Sequence, residues 1–195
     1  FPYKVIRVDK CEADDVIGSL AHRLREQGMA VTIVSADKDL TQLVLGEEDA
    51  WWDFARGNVL NSHGVKKQFG VRPDQIADML ALTGDKVDNI PGIPGVGYTT
   101  ASRILQKFAS VEDVIANVEQ ISDMKFRGST RVQALVNAHK EMLPLNKLLT
   151  TIVTDMDFDE EPDLCWNGIN EDALREISDL LALSDTMHQR WLNLD

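Results

Sequence analysis

A chain of 195 residues that is 44% hydrophobic can bury one compact core, with or without an appendage, and a formal charge of −12 excludes a uniformly basic surface. Two cysteines, Cys11 and Cys165, exclude a disulfide framework and give no zinc-site spacing, so a reduced, cytoplasmic setting is expected. No apolar run is long enough for a membrane helix, and the residues from Phe1-Pro2-Tyr3 onward lack the form of a signal peptide, so neither is expected within these residues.

The charge is unevenly spread. Residues 1–90 carry 11 Lys/Arg against 15 Asp/Glu, residues 91–150 carry 7 against 5, and residues 151–195 carry 2 against 12. Acid is concentrated in the tail and in three short clusters. The middle is locally basic, and a phosphate backbone could rest there.

In chain order, Lys4 to Val8 reads as a strand from its β-branched residues. A helix is expected from Asp14 to Gln27, with Val16, Ile17, Leu20 and Leu24 at helical spacing and Gly28 as its stop. Ala30 to Ser35 reads as a buried strand, which would complete a βαβ unit and imply a parallel sheet. Ala50 to Phe54 reads as another strand and Gly57-Asn58 as a turn. Helices are expected at Val65 to Phe69, from Pro73 to Leu82, from Thr99 to Phe108, and at 111–118, 129–138 and 139–149. An extended stretch from Thr150 to Phe158, an acidic link from Asp159 to Asp163 and a last amphipathic helix near 171–183 complete the chain. The expected division is 1–62 as part of an α/β core, 63–150 as a mostly helical region, and 151–195 as an acidic extension.

The clusters are Glu12-Ala13-Asp14-Asp15, Asp37-Lys38-Asp39 and Asp85-Lys86-Val87-Asp88. Gathering seven carboxylates is costly unless cations neutralise them, and hard divalent ions prefer such oxygen donors. The expected fold sets Asp14, Asp15, Asp37 and Asp39 just beyond the carboxyl ends of strands, where open α/β sheets place their sites. Singly, each cluster could as well cap a helix or belong to a solvated turn. Lys38 could offset the repulsion, touch a phosphate or simply be solvated.

Between Gly92 and Gly97, Gly and Pro punctuation marks a hairpin ahead of a helix. Glycines there would let a phosphate approach, with amides near Thr99 and Thr100 to bind it; a purely structural turn is the alternative. Arg103, Lys107, Lys125, Arg127 and Arg131 either extend that surface or are solvated charges. Trp51 and Trp52 either stack on a base or fill the core. The four histidines form no ligand pattern.

Glu12-Ala13-Asp14-Asp15-Val16-Ile17, Ala36 to Leu43, Ala81 to Gly92 and Gly95-Val96-Gly97 together resemble the 5′–3′ exonuclease and flap endonuclease family. That family includes the nuclease domain of bacterial DNA polymerase I and stand-alone phage and bacterial enzymes. The resemblance covers roughly residues 1–155 and is looser beyond.

The resemblance implies a metal-dependent 5′ nuclease of replication or repair, in a bacterial or phage-infected cytoplasm. Two Mg²⁺ or Mn²⁺ ions, about 4 Å apart, would serve phosphodiester hydrolysis. Glu12 and Asp14 would hold one, and Asp37, Asp39 and Asp88 the other. Asp15 and Asp85 would act through bridging water. It also implies that Gly92 to Thr100 is a helix-hairpin-helix (helix-three-turn-helix) element gripping DNA, with Gly92, Gly95, Val96, Gly97, Thr99, Thr100 and Arg103 at the contact. A potassium ion there would rest on the Ile93 and Val96 carbonyls. The implied partner is DNA with a 5′ end or flap, with an RNA primer–DNA hybrid as a second candidate, and the expected state is a monomer. The family's opening strand, its upstream metal-binding Asp residues and its helical arch have no counterpart here, so further residues are expected upstream. The competing expectation is a catalytically silent, structure-selective DNA-binding module.

Overall fold

Which segments become regular structure follows from where apolar runs find neighbours. The computed structural model describes residues 5–158, 165 and 168–193, and the chain divides into two compact units.

The larger unit, Ala13–Met156, opens with helix α1 (Ala13–Glu26), which has Asp14 and Asp15 in its first turn and Arg23 and Arg25 in its last. That charge order suits the helix dipole. Three short strands follow: β1 (Thr32–Val34), β2 (Ala50–Asp53) and β3 (Asn58–Leu60). β1 pairs parallel with β2, Ile33 opposite Trp51; β2 pairs antiparallel with β3, Trp52 opposite Val59. The 3₁₀ turn Asp39–Leu43 lies in the connection between β1 and β2, and Leu40, Leu43 and Val44 are all buried.

The helical part contains α2 (Ser62–Phe69), α3 (Ile76–Thr83), α4 (Tyr98–Lys107), α5 (Val111–Ala116), α6 (Ser129–His139) and α7 (Leu143–Thr150). Between α3 and α4, the two-residue strands β4 (Gly84–Asp85) and β5 (Ile90–Pro91) form an antiparallel hairpin. Every residue from Ile76 to Leu82 is buried. A helix buried on all sides must be surrounded, and α3 packs against α4, α5, α7 and the 39–43 turn. It is the hub of this unit.

Polar ties fix the hub's neighbours. Asn146 of α7, 2% exposed, donates from its amide to the carbonyls of Ala81 and Pro91, joining the end of α3 to β5. Gln42 donates to the Thr150 carbonyl at 3.1 Å and accepts from the Ile152 amide at 3.1 Å. Arg25 of α1 pairs with the buried Asp49 and donates to the Leu43 carbonyl.

The smaller unit comprises Phe1–Glu12 and Asp157–Asp195. It contains α8 (Glu171–Leu180) and α9 (Asp185–Leu192), joined side to side by a 2.7 Å hydrogen bond between Ser178 Oγ and His188 Nδ1.

The α/β class holds, with four corrections. Residues 5–8 form no strand, so the expected βαβ unit is absent and the sheet is mixed. Val5 is 86% exposed; β-branched composition favours a strand only where a ladder and a packed face receive it. The 73–82 segment is a 3₁₀ turn, Pro73–Gln75, leading into α3. The helix expected at 171–183 stops at Leu180, and α9 follows it, with the Ser184 hydroxyl accepting from the Met187 amide. Finally, β3, β4 and β5 are too short to carry a period. The acidic link from Asp159 to Asp163 lies outside the described residues. None of the described helices is long and apolar enough to cross a membrane.

Candidate metal centre

The Ser35–Asp39 turn leaves the end of β1 and is locked by its own side chains. Ser35 Oγ accepts from the Asp37 amide at 3.0 Å, and Asp37 Oδ1 accepts from the Asp39 amide at 2.9 Å. Trp51, buried in β2, donates from its indole N–H to the Asp37 carbonyl at 2.8 Å. Core packing of one tryptophan therefore sets the position of this acidic turn.

The β4–β5 hairpin brings the second cluster. Asp85 is 6% exposed, and its Oδ1 accepts from the Val87 amide at 2.7 Å; Asp88 sits on the exposed loop beyond. The hairpin turns back so tightly that a Cβ on Gly92 would lie 2.1 Å from the Thr83 carbonyl oxygen. Gly84 has φ +75°, the left-handed region that glycine adopts without penalty.

Asp39, Asp85 and Asp88 converge: one carboxylate oxygen from each lies within 4.8 Å of the others. Lys38 is built into the same group. Its ammonium is 2.8 Å from Asp39 Oδ1 and 2.9 Å from Asp85 Oδ2. Burial opposes the Lys38 charge, but hydrogen bonds to Asp39 and Asp85 and the charge of Asp39 hold its pKa above the ordinary value. Burial raises Asp39, helped by repulsion from Asp37 and Asp85, and Lys38 offsets only part of this. Asp85 goes the other way. Burial would raise it, but Lys38 and the amides of Val87 and Asp88 pull it below the usual carboxylate value.

The remaining expected ligands are placed differently. Asp37 is exposed beside this group, and its carboxylate is engaged in the turn. Asp14 and Asp15 are half-buried in the first turn of α1; Asp15 Oδ1 accepts from the Val153 amide at 2.9 Å, anchoring the segment after α7. Glu12 is exposed and belongs to the smaller unit.

The hairpin expected at Gly92 to Thr100 forms a tight turn ahead of α4. Ile93 and Val96 point into the core at 2% and 4% exposure, and the Val96 amide donates to the Ile93 carbonyl. Pro94, Gly95, Gly97 and Thr99 face solvent, and Gly97 caps α4 with open space where a Cβ would be. Arg103 is exposed on α4, with its guanidinium 5.9 Å from the Phe126 ring centroid. Lys125, Arg127 and Arg131 are exposed too, while Lys107 donates to the Gln120 carbonyl. A groove of about 400 Å³, lined by Lys67, Gln68, Gly70, Tyr98, Thr99 and Ser102, runs beside the start of α4. Trp51 fills the core, and the half-buried Trp52 meets Phe54 edge to face.

Two roles here are not reached by sequence reasoning, that of Tyr98 and that of Trp51 beneath the acidic turn. Tyr98 lines a small pocket with Lys38 and Asp39, and its raised pKa comes from burial and from the nearby Asp39 and Asp85. Its place directly after Gly97 was the available signal. Trp51's hold on Asp37 had none.

With this geometry in place, comparison with known proteins is decisive. Residues 1–70 match the model described as 5′–3′ exonuclease, N-terminal resolvase-like domain, and residues 71–172 match 5′–3′ exonuclease, C-terminal SAM fold. The chain belongs to the 5′–3′ exonuclease family.

Among curated members of that family, the chain is 44% identical over 154 residues to the 5′–3′ exonuclease of Aquifex aeolicus, covering 78% of this chain and 50% of that protein. It is 35% identical over 158 residues to the Buchnera aphidicola (Acyrthosiphon pisum) 5′–3′ exonuclease, covering 80% and 54%. It is 40% identical over 162 residues to Pseudomonas aeruginosa DNA polymerase I, covering 83% of this chain and 18% of the polymerase. The chain thus spans about half the length of the stand-alone 5′–3′ exonucleases it matches. The fold is shared with the T5 5′-exonuclease solved with divalent zinc, at TM-score 0.63 and 20% identity over 96% of this chain and 59% of that one. It is also shared with the catalytic core of Rad2, at TM-score 0.55 and 17% identity over 93% and 65%.

Proposed function

We propose that this chain is part of a metal-dependent, structure-specific 5′ nuclease that hydrolyses DNA phosphodiesters at a 5′ end or flap. The observation that carries the reading is the convergence of Asp39, Asp85 and Asp88 from two separate motifs, in a member of the 5′–3′ exonuclease family. Solved structures of the T5 5′-exonuclease with divalent zinc, and of the T5 flap endonuclease with DNA and metal ions, support it.

The donors are all carboxylate oxygens on two turns, close enough to share one cation, which fits a hard divalent ion such as Mg²⁺ or Mn²⁺. Such an ion would supply charge stabilisation at a phosphoryl oxygen and an acidified water. Asp39, Asp85 and Asp88 would hold it with Asp37 alongside. Asp14 and Asp15, in the first turn of α1, would serve a second metal position in this reading. The exposed backbone at Gly95 and from Gly97 to Thr99 would hold a non-bridging phosphate oxygen, independent of base sequence, and Arg103 would add charge. A potassium ion on the Ile93 and Val96 carbonyls, action on RNA primer–DNA hybrids, and a monomeric state complete the proposal.

The test is cleavage of a 5′-flap DNA by this chain, with Mg²⁺ or Mn²⁺ and with a chelator. The expected result is product that requires metal and disappears in Asp39→Asn while DNA binding persists. Salt-sensitive binding without product in either metal would overturn the nuclease reading for this chain.

A further inference from the structure

We propose that Lys38 is an internal competitor for the divalent cation: its ammonium holds Asp39 and Asp85 together and must leave before a metal can bridge them. This rests on the metal-centre reading above. The geometry that points to it is the near-equal approach of Nζ to Asp39, 2.8 Å, and to Asp85, 2.9 Å, inside the group of carboxylates that would ligate the ion.

A unit positive charge and a dication cannot share those two oxygens. At hydrogen-bond range their repulsion is large even with generous screening. Asp39 and Asp85 offer carboxylate oxygens within 4.8 Å of each other, and two such groups repel unless a cation stands between them. Lys38 meets that need and has a way out. Its side chain is 41% exposed, and its flexible four-carbon stem lets the ammonium swing to solvent without moving the turn that carries Asp37 and Asp39. The turn's other hydrogen bonds, from the Asp37 and Asp39 amides and the Trp51 indole, do not involve Lys38. Lys38 is thus a positioning residue, which keeps the centre assembled and sets the metal concentration at which it loads.

The experiment is a Mn²⁺ titration followed by the EPR signal of free ion, at fixed pH and salt. It compares the unaltered chain with Lys38→Met, Asp88→Asn and the double variant, alongside thermal melting in chelator and in saturating Mn²⁺. Lys38→Met is expected to tighten Mn²⁺ binding roughly tenfold or more. It should also lower Tm in chelator, with Mn²⁺ raising Tm by a wider margin than in the unaltered chain. Asp88→Asn should weaken binding in both backgrounds, which assigns the measured ion to this group. If Lys38→Met does not fold in chelator, Lys38→Gln offers a shorter, uncharged N–H donor in its place and should show the same tightening. Unchanged or weaker Mn²⁺ affinity in the Lys38 variants, with normal binding in the unaltered chain, overturns the competitor role alone. No binding in any variant, or binding indifferent to Asp88→Asn, overturns the metal centre and the Lys38 role together.

Discussion

At the scale of single residues, burial separates two carboxylates that the motif presents as equivalents. Asp85 is enclosed, paired with Lys38 and hydrogen-bonded to the Val87 amide; Asp88 is exposed on the hairpin loop. Asp85→Asn removes a charged partner of Lys38 from an enclosed site and should cost about 1–2 kcal/mol of folding stability. Asp88→Asn should stay within about 0.5 kcal/mol, as surface substitutions do. Both should depress metal-dependent cleavage. Urea denaturation beside a flap-cleavage assay checks this, and equal stability of the two variants would refute the split. The acidic motifs are legible in the sequence because each is a local run. What is not legible is how they are held. Trp51 to the Asp37 carbonyl, Asn146 to Ala81 and Pro91, and Gln42 to Thr150 and Ile152 all join positions far apart in the chain. No spacing rule reaches that far.

Among the elements, α3, α5 and α7 are joined by one lysine. Lys147 of α7 lies 2.8 Å from Asp78 of α3, which is 2% exposed, and 2.8 Å from Glu112 of α5. Burial raises Asp78, whereas Glu112 is lowered to about 2: burial opposes the shift, but Lys147 and Ser110 outweigh it. Lys147 is raised, since both carboxylates outweigh its own burial. The signs then follow by linkage. The Glu112 contribution is full above its ordinary value of 4.5 and is lost as pH falls towards about 2. That of Lys147 is full below 10.5 and is lost as pH rises beyond it. Asp78, raised, favours the fold more as pH falls. Lys147→Met leaves Asp78 buried and unpaired, at a cost of about 3 kcal/mol near pH 7. Part of that loss should return as the pH is lowered from 7, because Asp78, already raised by burial, takes up a proton more readily once Lys147 is gone. Denaturant melts across a pH series read it directly, and a pH-independent deficit would mean lost packing alone.

The hairpin between α3 and α4 offers a second contrast at this scale. Alanine at Gly92 would drive its Cβ into the Thr83 carbonyl, whereas at Gly97, with φ −101° and open space, it fits. Gly92→Ala should cost more than about 2 kcal/mol and displace Asp88 with the hairpin. Gly97→Ala should fold within about 1 kcal/mol of the unaltered chain, the range of a cap substitution. If a phosphate rests on this turn, Gly97→Ala will still weaken DNA binding, because the methyl stands where the backbone must approach. Undiminished binding would move the phosphate elsewhere. Glycines alone in the sequence could not separate these roles: one φ and one clash do. The strand expected at 4–8 marks the opposite limit, since composition cannot supply the neighbouring ladder that a strand needs.

For the whole molecule, a net charge of −12 sits beside a proposal that the chain holds a polyanion. The two are compatible if the acid is segregated, and it is. Residues 151–195 alone carry 12 acidic and 2 basic side chains, while residues 91–150 carry an excess of basic ones. Arg103, Lys125, Arg127 and Arg131 are all exposed within that basic stretch, on α4, on α6 and just before it. Charge at the contact surface governs counterion release, and each phosphate neutralised adds roughly 0.9 to the slope of log affinity against log salt. Replacing both Lys125 and Arg131 by Gln should therefore reduce that slope by about 1–2 and weaken binding uniformly across DNA sequences, since backbone contacts carry no base information. Gln at two exposed positions of the same unit outside this stretch, Arg56 and Arg72, should leave the slope unchanged. Fluorescence anisotropy with a labelled flap DNA in Ca²⁺, across a salt series, measures both. If the Arg56 and Arg72 changes flatten the slope and the Lys125 and Arg131 changes do not, the DNA path does not cross α6 or the loop before it, and the hairpin must act without them.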